Sequence, residues 1–339
     1  PDMAEKWNIY FSDKLPVDLL NDEDFWTYEG DMATRASSEK VLNKLSKVIP
    51  NLFGGSADLG PSNKSVMKDR EYYSPENPSG SNIHFGIREF AMTAMANAIS
   101  LHGGLRPYIA GFFVFSDYMK AGMRLSALME QPVISILTHD SIGVGEDGPT
   151  HQPIEHLAAL RSMPGYTVIR PCDTHETAAA WYLALTRKQP TGIVLSRQTL
   201  PLLKETGKDA LKGAYILQNC DGKPDIILMA TGSEVELIYK AYDILTEKGI
   251  KVRTVSMPSF EVFEEQSDEY KESVLPNSVR ARVAVEAASD FGWYKYVGLD
   301  GKVICMHGFG ESAPAGELFK KFGFTVDNVV NTAIEVLNK

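Results

Sequence analysis

The sequence predicts an α/β protein of two domains, each with a mainly parallel sheet flanked by helices. Short apolar runs of strand length recur along it, helical stretches separate them, and one polar connector divides the series in two. Apolar runs without polar alternation suit strands covered on both faces, and strands alternating with helices are the pattern of α/β folds. The length agrees, because 339 residues exceed the roughly 100–200 that one ordinary domain uses.

Residues 1–22 are polar, charged and punctuated by proline, and read as a surface lead-in rather than a core element. The chain opens Pro1-Asp2-Met3, with no initiator methionine or signal-peptide pattern, which suggests the back part of a longer protein. The first domain is expected over 23–207. Its buried strands include 132–137 (Pro-Val-Ile-Ser-Ile-Leu) and 192–195 (Gly-Ile-Val-Leu). Asp173, with Glu176 three residues on, gives a capping-box-like start to an Ala-rich helix reaching Lys188. The connector 201–208 (Pro-Leu-Leu-Lys-Glu-Thr-Gly-Lys) leads to a second domain over 208–339. There, 225–229 (Asp-Ile-Ile-Leu-Met) and 282–285 (Arg-Val-Ala-Val) are the apolar runs. Residues 233–236 repeat the capping device ahead of Val235, Ile238, Ala241, Tyr242 and Leu245 at helical spacing, and Gly249 closes that helix.

Composition narrows the function. Lys plus Arg number 34 against 44 Asp plus Glu, a net charge of -10, which speaks against a nucleic-acid or anionic-membrane partner. No apolar run approaches the ~20 residues needed to span a bilayer. Cys172, Cys220 and Cys305 are odd in number and far apart, so neither a disulfide framework nor a CxxC metal site is expected, and a cytoplasmic location fits.

Five segments carry candidate chemistry. Residues 54–63, rich in Gly, Ser and Asn, should lie just past a strand end, where small residues let backbone N–H groups approach an anion; a plain turn reads equally well. Glu89 stands near the start of an almost wholly apolar helix. It either complements the helix dipole or is a buried carboxylate with a raised pKa, facing something that wants its proton. Phe112, Phe115 and Tyr118 fall three apart and would project from a similar side, as a core stripe or as a stack for a flat heteroaromatic ring. Residues 138–153 hold two His, three acids, three Gly and two Pro directly after an apolar strand. His139, Asp147, His151 and His156 could be drawn around a metal, but their spacing supports none, and proton transfer or hydrogen bonding to a polyol fits better. Arg197 follows the strand 193–195, and Arg35 opens a helix. Both positions suit phosphate, with a surface salt bridge as the plain alternative for Arg197. Thr231-Gly232-Ser233 is a weaker candidate, a strand–helix junction that could hold a nucleotide phosphate.

Taken in order, several motifs resemble the signatures of the transketolase family. They are Gly54-Gly55-Ser56-Ala57-Asp58-Leu59, Gly86-Ile87-Arg88-Glu89-Phe90, the 138–153 loop, Arg170-Pro171-Cys172-Asp173, Leu195-Ser196-Arg197-Gln198, Ala230-Thr231-Gly232-Ser233-Glu234-Val235 and Phe309-Gly310-Glu311-Ser312-Ala313-Pro314. The likeness covers that family's thiamine-diphosphate-binding pyrimidine (middle) domain and its C-terminal domain. The family's N-terminal domain, whose Gly-Asp-Gly motif and downstream Asn hold the diphosphate and a Mg or Ca ion, has no counterpart in this sequence.

The resemblance implies transfer of a two-carbon ketol unit from a ketose phosphate to an aldose phosphate, in pentose phosphate metabolism, with thiamine diphosphate as cofactor. Under it, Glu89 is the catalytic carboxylate on the aminopyrimidine ring, Phe112, Phe115 and Tyr118 form that ring's aromatic pocket, and Asp58 lies near the thiazolium. Arg35, Ser62, His139 and Arg197 match a sugar-phosphate clamp. Asp147 matches a reader of a sugar hydroxyl, and His151 a catalytic residue beside the reacting carbons. No residue of the chain is implied as a metal ligand. The site would be shared with the N-terminal diphosphate-binding domain of a second subunit in a homodimer, so the chain would hold about half a site and be inactive alone. The alternatives are a non-catalytic truncated or split-subunit dimerisation module, or a related thiamine diphosphate enzyme: dihydroxyacetone synthase, deoxyxylulose-phosphate synthase or a pyruvate dehydrogenase beta subunit. The clamp and the loop holding His139 and His151 favour transketolase over the last two. No catalytic residue is implied beyond about 208.

Overall fold

The computed structural model describes residues 2–338, so Pro1 and Lys339, the outer ends of the expected lead-in and second domain, lie outside it. The first sheet comprises β1 (Leu52–Ser56), β2 (Asn82–His84), β3 (Arg106–Phe112), β4 (Ile134–Thr138), β5 (Thr167–Ile169) and β6 (Thr191–Leu195). These run in the order β2-β1-β3-β4-β6-β5, every pairing parallel. The second comprises β7 (Tyr215–Gln218), β8 (Ile226–Ala230), β9 (Val252–Ser256), β10 (Arg282–Val285) and β11 (Lys302–Ile304), in the order β11-β10-β8-β9-β7. Only the edge strand β7 is antiparallel to its neighbour.

Side-chain alternation along each strand feeds two apolar layers per sheet. On one face of the first sheet, Tyr108, Ile136 and Leu195 pack with Val41, Leu42 and Leu45 of the helix Thr34–Val48 and with Trp181 of the helix Thr174–Thr186. On the other, Ile109, Leu137 and Val194 meet Met92 and Ala96 of the helix Glu89–His102 and Met119 and Met123 of the helix Ser116–Leu128. In the second sheet, Leu228, Val283 and Val285 pack with Ile238, Ala241 and Leu245 of the helix Val235–Glu247. Met229, Val255 and Ala284 face Phe260, Phe263 and Trp293.

Local expectations needed correction in four places. The stretch 2–22 is more than a surface lead-in: Asp2–Tyr10 is an exposed helix, and Leu19 is buried in the first core with its carbonyl bound by Trp26 Nε1 at 2.9 Å. Gly54 and Gly55 lie inside β1 rather than past its end. A Cβ on either would come within 2.0 Å of a carbonyl oxygen, of Tyr108 and Ile83 respectively, so they permit strand packing rather than anion approach. The Ala-rich helix ends at Thr186, two residues short of Lys188. At its start Asp173 accepts from Glu176 N at 3.0 Å, but Glu176 does not close the capping box. Its carboxylate accepts from Cys172 N at 2.7 Å and, across the domain junction, from Tyr215 Oη at 2.9 Å. Finally, Ser233 caps nothing: its hydroxyl donates to Glu234 at 2.6 Å, and both side chains turn toward the buried Arg170.

Candidate active site

The loops that leave β1, β3, β4 and β6 emerge at the carboxyl edge of the parallel sheet, the usual ligand side of an open α/β sheet. Asp58 and Ser62 follow β1, Phe115 and Tyr118 follow β3, His139 to His151 follow β4, and Arg197 follows β6. Arg35 arrives from the first turn of the helix Thr34–Val48. That helix start is pinned to the end of β6 by paired bonds, Thr34 N to Ser196 Oγ at 3.0 Å and Ser196 N to Thr34 Oγ1 at 2.7 Å.

Arg35, Ser62, His139 and Arg197 come together. Arg35 Nη1 donates to Ser62 O at 2.8 Å and lies 3.4 Å from His139 Nε2, so Ser62 contributes its carbonyl to the cluster. His139 is buried and left-handed (φ 64°), a conformation His tolerates better than most residues. Its Nδ1 lies 2.8 Å from Thr138 Oγ1, whose proton goes to Asn63 Oδ1 at 2.7 Å, while Asn63 Nδ2 donates to Ser56 Oγ at 2.8 Å. With the Thr138 proton committed, Nδ1 carries the imidazole hydrogen and Nε2 the lone pair facing Arg35. Burial, then the charges of Arg35 and Arg197, drive the His139 pKa down to about 3. Burial and Arg197 likewise lower that of Arg35. Among the described residues neither guanidinium has a carboxylate partner. Cations crowded without a counter-charge form a site that an anion would relieve.

Beside the clamp, Ala57, Asp58, Leu59, Ile87, Glu89, Phe115 and Tyr118 line a cleft of about 490 Å³. Glu89 opens the helix Glu89–His102, and the enclosure expected for it is absent: the side chain is half-buried. Its apolar neighbours do not cover it because Ile87, Phe90 and Met95 point outward, with Ile87 79% exposed, and only Met92, Thr93, Ala96 and Asn97 face the core. Asp58, also left-handed (φ 61°), is exposed at the mouth.

The three aromatic residues stand on successive elements yet form a run of neighbouring rings, Phe112 beside Phe115 and Phe115 6.1 Å from Tyr118. Phe112 ends β3, Phe115 closes a 3-10 turn, and Tyr118 sits in the next helix. Phe112 is buried and stacks on His139, centroids 3.7 Å apart, while Phe115 and Tyr118 line the cleft and Tyr118 is exposed. The Phe112 and Phe115 planes are nevertheless parallel within 7°, at 5.9 Å. His151 joins clamp and cleft, its ring 5.5 Å from Phe115 and 6.2 Å from Phe112, and its Nδ1 is 2.9 Å from Thr150 Oγ1. Asp147 is exposed on the same loop, and its carbonyl receives Thr150 Oγ1 at 3.5 Å.

Two arrangements drawn from the sequence are not assembled. His156 is buried with Nε2 3.1 Å from Asp117 Oδ2 and packs on Phe113, apart from His139, Asp147 and His151. The Thr231–Ser233 turn holds Arg170 rather than a phosphate: a Cβ on Gly232 would lie 2.6 Å from Arg170 Nε, and Arg170 Nη1 donates to Thr231 O at 3.1 Å. Sequence reasoning missed Thr138 and Asn63 as the groups that orient His139. Both lie inside segments already singled out, 54–63 and 138–153, but nothing local reveals a contact spanning 75 residues.

The profile of the transketolase pyrimidine binding domain matches residues 30–202, and that of the transketolase-like C-terminal domain matches 213–325. The transketolase of Staphylococcus aureus is 48% identical over 99% of this chain and 52% of its own length. Transketolase from Leishmania mexicana superposes with a TM-score of 0.95 at 41% identity, covering 100% of this chain and 50% of that one. The Pichia stipitis enzyme in complex with sedoheptulose 7-phosphate gives 0.94 at 40% identity, over 100% and 51%. A split-gene transketolase described as an inactive β4 tetramer shares the fold, with a TM-score of 0.73 at 23% identity over 91% of this chain and 99% of that one. The chain thus spans about half the length of the curated relatives it matches.

Proposed function

This chain belongs to the transketolase family, and from that membership we propose that it forms the sugar-phosphate and pyrimidine side of a ketol-transfer site. The substrates would be a ketose phosphate donor and an aldose phosphate acceptor. The observation that carries this reading is the pair of guanidiniums of Arg35 and Arg197 gathered at the neutral His139, with no carboxylate partner among the described residues. A phosphate ester supplies the negative charge. Asp147, exposed on the neighbouring loop, would accept a hydrogen bond from a sugar hydroxyl, and His151 would exchange a proton with the oxygens on the reacting carbons.

The cleft suits thiamine diphosphate's aminopyrimidine half. It offers a carboxylate at Glu89, the flat face of Phe115 and the ring of Tyr118, with room of about 490 Å³. When bound, thiamine diphosphate supplies the electron sink for cleaving the bond beside the ketose carbonyl. Glu89 would hold a proton against a ring nitrogen, Phe115 and Tyr118 would orient the ring, and Phe112 would act from behind by supporting His139. Asp58 would border the remainder of the cofactor. We assign the diphosphate and its Mg or Ca ion to an N-terminal domain of a second subunit in a homodimer. The exposed Ile87, which lines the cleft, and the exposed Phe90 and Met95 on the helix that Glu89 opens support such a covering. We divide the chain at 207/208, in the polar connector between β6 and β7. Among the described residues no helix is long and apolar enough to cross a membrane, and we assign the protein to the cytoplasm.

A second reading, an assembly module inactive by itself, is favoured by the split-gene chain of matching extent that is described as inactive. Both readings share the clamp, which calorimetry tests directly. Ribose 5-phosphate should bind this chain and ribose should not, and Arg197→Ala should weaken the ester by about tenfold through loss of a charged contact. Equal binding of ribose and its phosphate would remove the clamp from the account.

A further inference from the structure

The second domain holds no implied catalytic residue, yet one of its turns bonds the loop that carries three of the site residues, and a second reaches that loop through Arg170. At the loop's start, Asp140 Oδ2 accepts from Arg170 Nε at 2.9 Å and Nη2 at 2.8 Å. Arg170 in turn donates to Thr231 Oγ1 at 3.0 Å, to Ser233 Oγ at 3.2 Å and to Glu234. Glu234 also accepts Ala287 N at 3.0 Å, which ties the assembly to the end of β10. In mid-loop, Ser312 Oγ donates to Glu146 O at 2.5 Å, and a Cβ on Gly148 would come within 3.2 Å of Ser312. At the loop's end, buried Gln152 donates from Nε2 to Gly145 O at 2.8 Å and to Glu311 O at 2.9 Å. Gly310 is needed there, because a Cβ would sit 1.7 Å from Gln152 Oε1.

Each anchored residue is the chain neighbour of a site residue: Asp140 of His139, Glu146 of Asp147, and Gln152 of His151. Between the anchors the loop carries bonds of its own, Gly145 N to Ile142 O at 3.1 Å, Gly148 N to Gly145 O at 3.0 Å and His151 N to Gly148 O at 3.0 Å, so the anchors place an already folded loop against the second domain. We propose that the turns 231–234 and 310–314 of the second domain are a positioning device for the substrate loop, with Gln152, Gly310 and Ser312 as positioning residues that fix Asp147 and His151 over the cleft. This rests on the ketol-transfer reading of the site. It gives the turn 310–314 a part in recognising the sugar rather than the phosphate, since Arg35 and Arg197 stand on first-domain elements that this turn does not grip and His139 is reached only through Asp140, Arg170 and the turn 231–234.

The test uses the full chain with Gly310→Ala, which displaces Gln152, and Ser312→Ala, which removes one surface bond. Exposed Arg280→Ala serves as the control. Imidazole NMR of His151 and titration with ribose 5-phosphate and inorganic phosphate are the readouts. Both variants should shift the His151 resonances and weaken ribose 5-phosphate, Gly310→Ala by about tenfold, while inorganic phosphate changes less than about twofold. Unmoved His151 resonances in a folded Ser312→Ala chain, or equal weakening of both probes, would overturn the proposal. Should the unaltered chain bind neither probe, the clamp reading fails, while the His151 resonances still decide for or against the positioning device.

Discussion

His139 shows how much one side chain's hydrogen-bond partners decide. The relay from Ser56 through Asn63 and Thr138 leaves the Nε2 lone pair toward Arg35, and burial with two guanidiniums lowers the pKa from 6.5 to about 3. The unfolded chain therefore takes a proton near pH 6.5 that the folded chain refuses. This residue's contribution to stability is complete above that pH and declines as pH falls toward 3. A bound phosphate dianion reverses the local field, so Nε2 gains a proton while Nδ1 keeps its bond to Thr138. Calorimetry near pH 6 in buffers of different ionisation enthalpy should then show proton uptake on binding ribose 5-phosphate. Heats independent of buffer would contradict this. Glu89 poses a separate residue-level question. Half-buried at the cleft, its replacement by Gln should leave the melting temperature unchanged and lower turnover of the assembled enzyme by about 10²-fold or more. Near-normal turnover would retire its assigned role. Residue types and local spacing singled out Arg35, His139, Arg197 and Glu89 as candidates, the resemblance grouped the first three as a clamp, and the structure brings those three together. Thr138 and Asn63 stayed hidden because their work depends on a contact between distant segments.

Among the elements, those with strong local signals were the readable ones. The apolar runs at 192–195 and 282–285 are β6 and β10, and β4 starts at Ile134, past Pro132, which has no N–H for a ladder. The three-residue strands β5 and β11 were not legible, because so short a segment gives no periodicity. The two helix starts differ for a physical reason. Asp173 is a true cap and also accepts from Leu203 N at 3.2 Å and Thr206 Oγ1 at 2.5 Å, whereas Ser233 and Glu234 are taken up by Arg170. Asp173→Ala should accordingly cost about 1–3 kcal/mol, read as a lowered urea midpoint. An unchanged midpoint would show that the cap and its connector bonds contribute nothing net. Glu176, on the same helix, meets the second domain through Tyr215 and Ser256, and burial, then Asp173, raises its pKa to about 7. The folded state therefore binds its proton more readily than the unfolded one, so this group's contribution is full below pH 4.5 and is lost as pH rises through 7.

Across the whole molecule, the two domains meet through buried charge and through an apolar seam in which Ile142, Ile154, Cys172 and Ala179 join the core of the second sheet. Arg170 answers Asp140 and Glu234, and Arg161 pairs with Glu286 at 2.8 Å. Such pairs are costly to break one partner at a time, which makes the domain arrangement specific. The two-domain α/β architecture followed from alternating apolar runs and helices, but the junction did not, since its partners are 30 to 125 residues apart. The molecule's chemistry is gathered on one rim, with a cationic clamp on one side of His151 and an open carboxylate-bearing cleft on the other. The central claim is that this rim is one side of a ketol-transfer site needing a diphosphate-binding domain. Its most direct test is turnover of xylulose 5-phosphate and ribose 5-phosphate, with thiamine diphosphate and Mg²⁺, by this chain alone and mixed with a separately produced transketolase N-terminal domain. The account predicts activity only in the mixture, whereas turnover by the chain alone would contradict it.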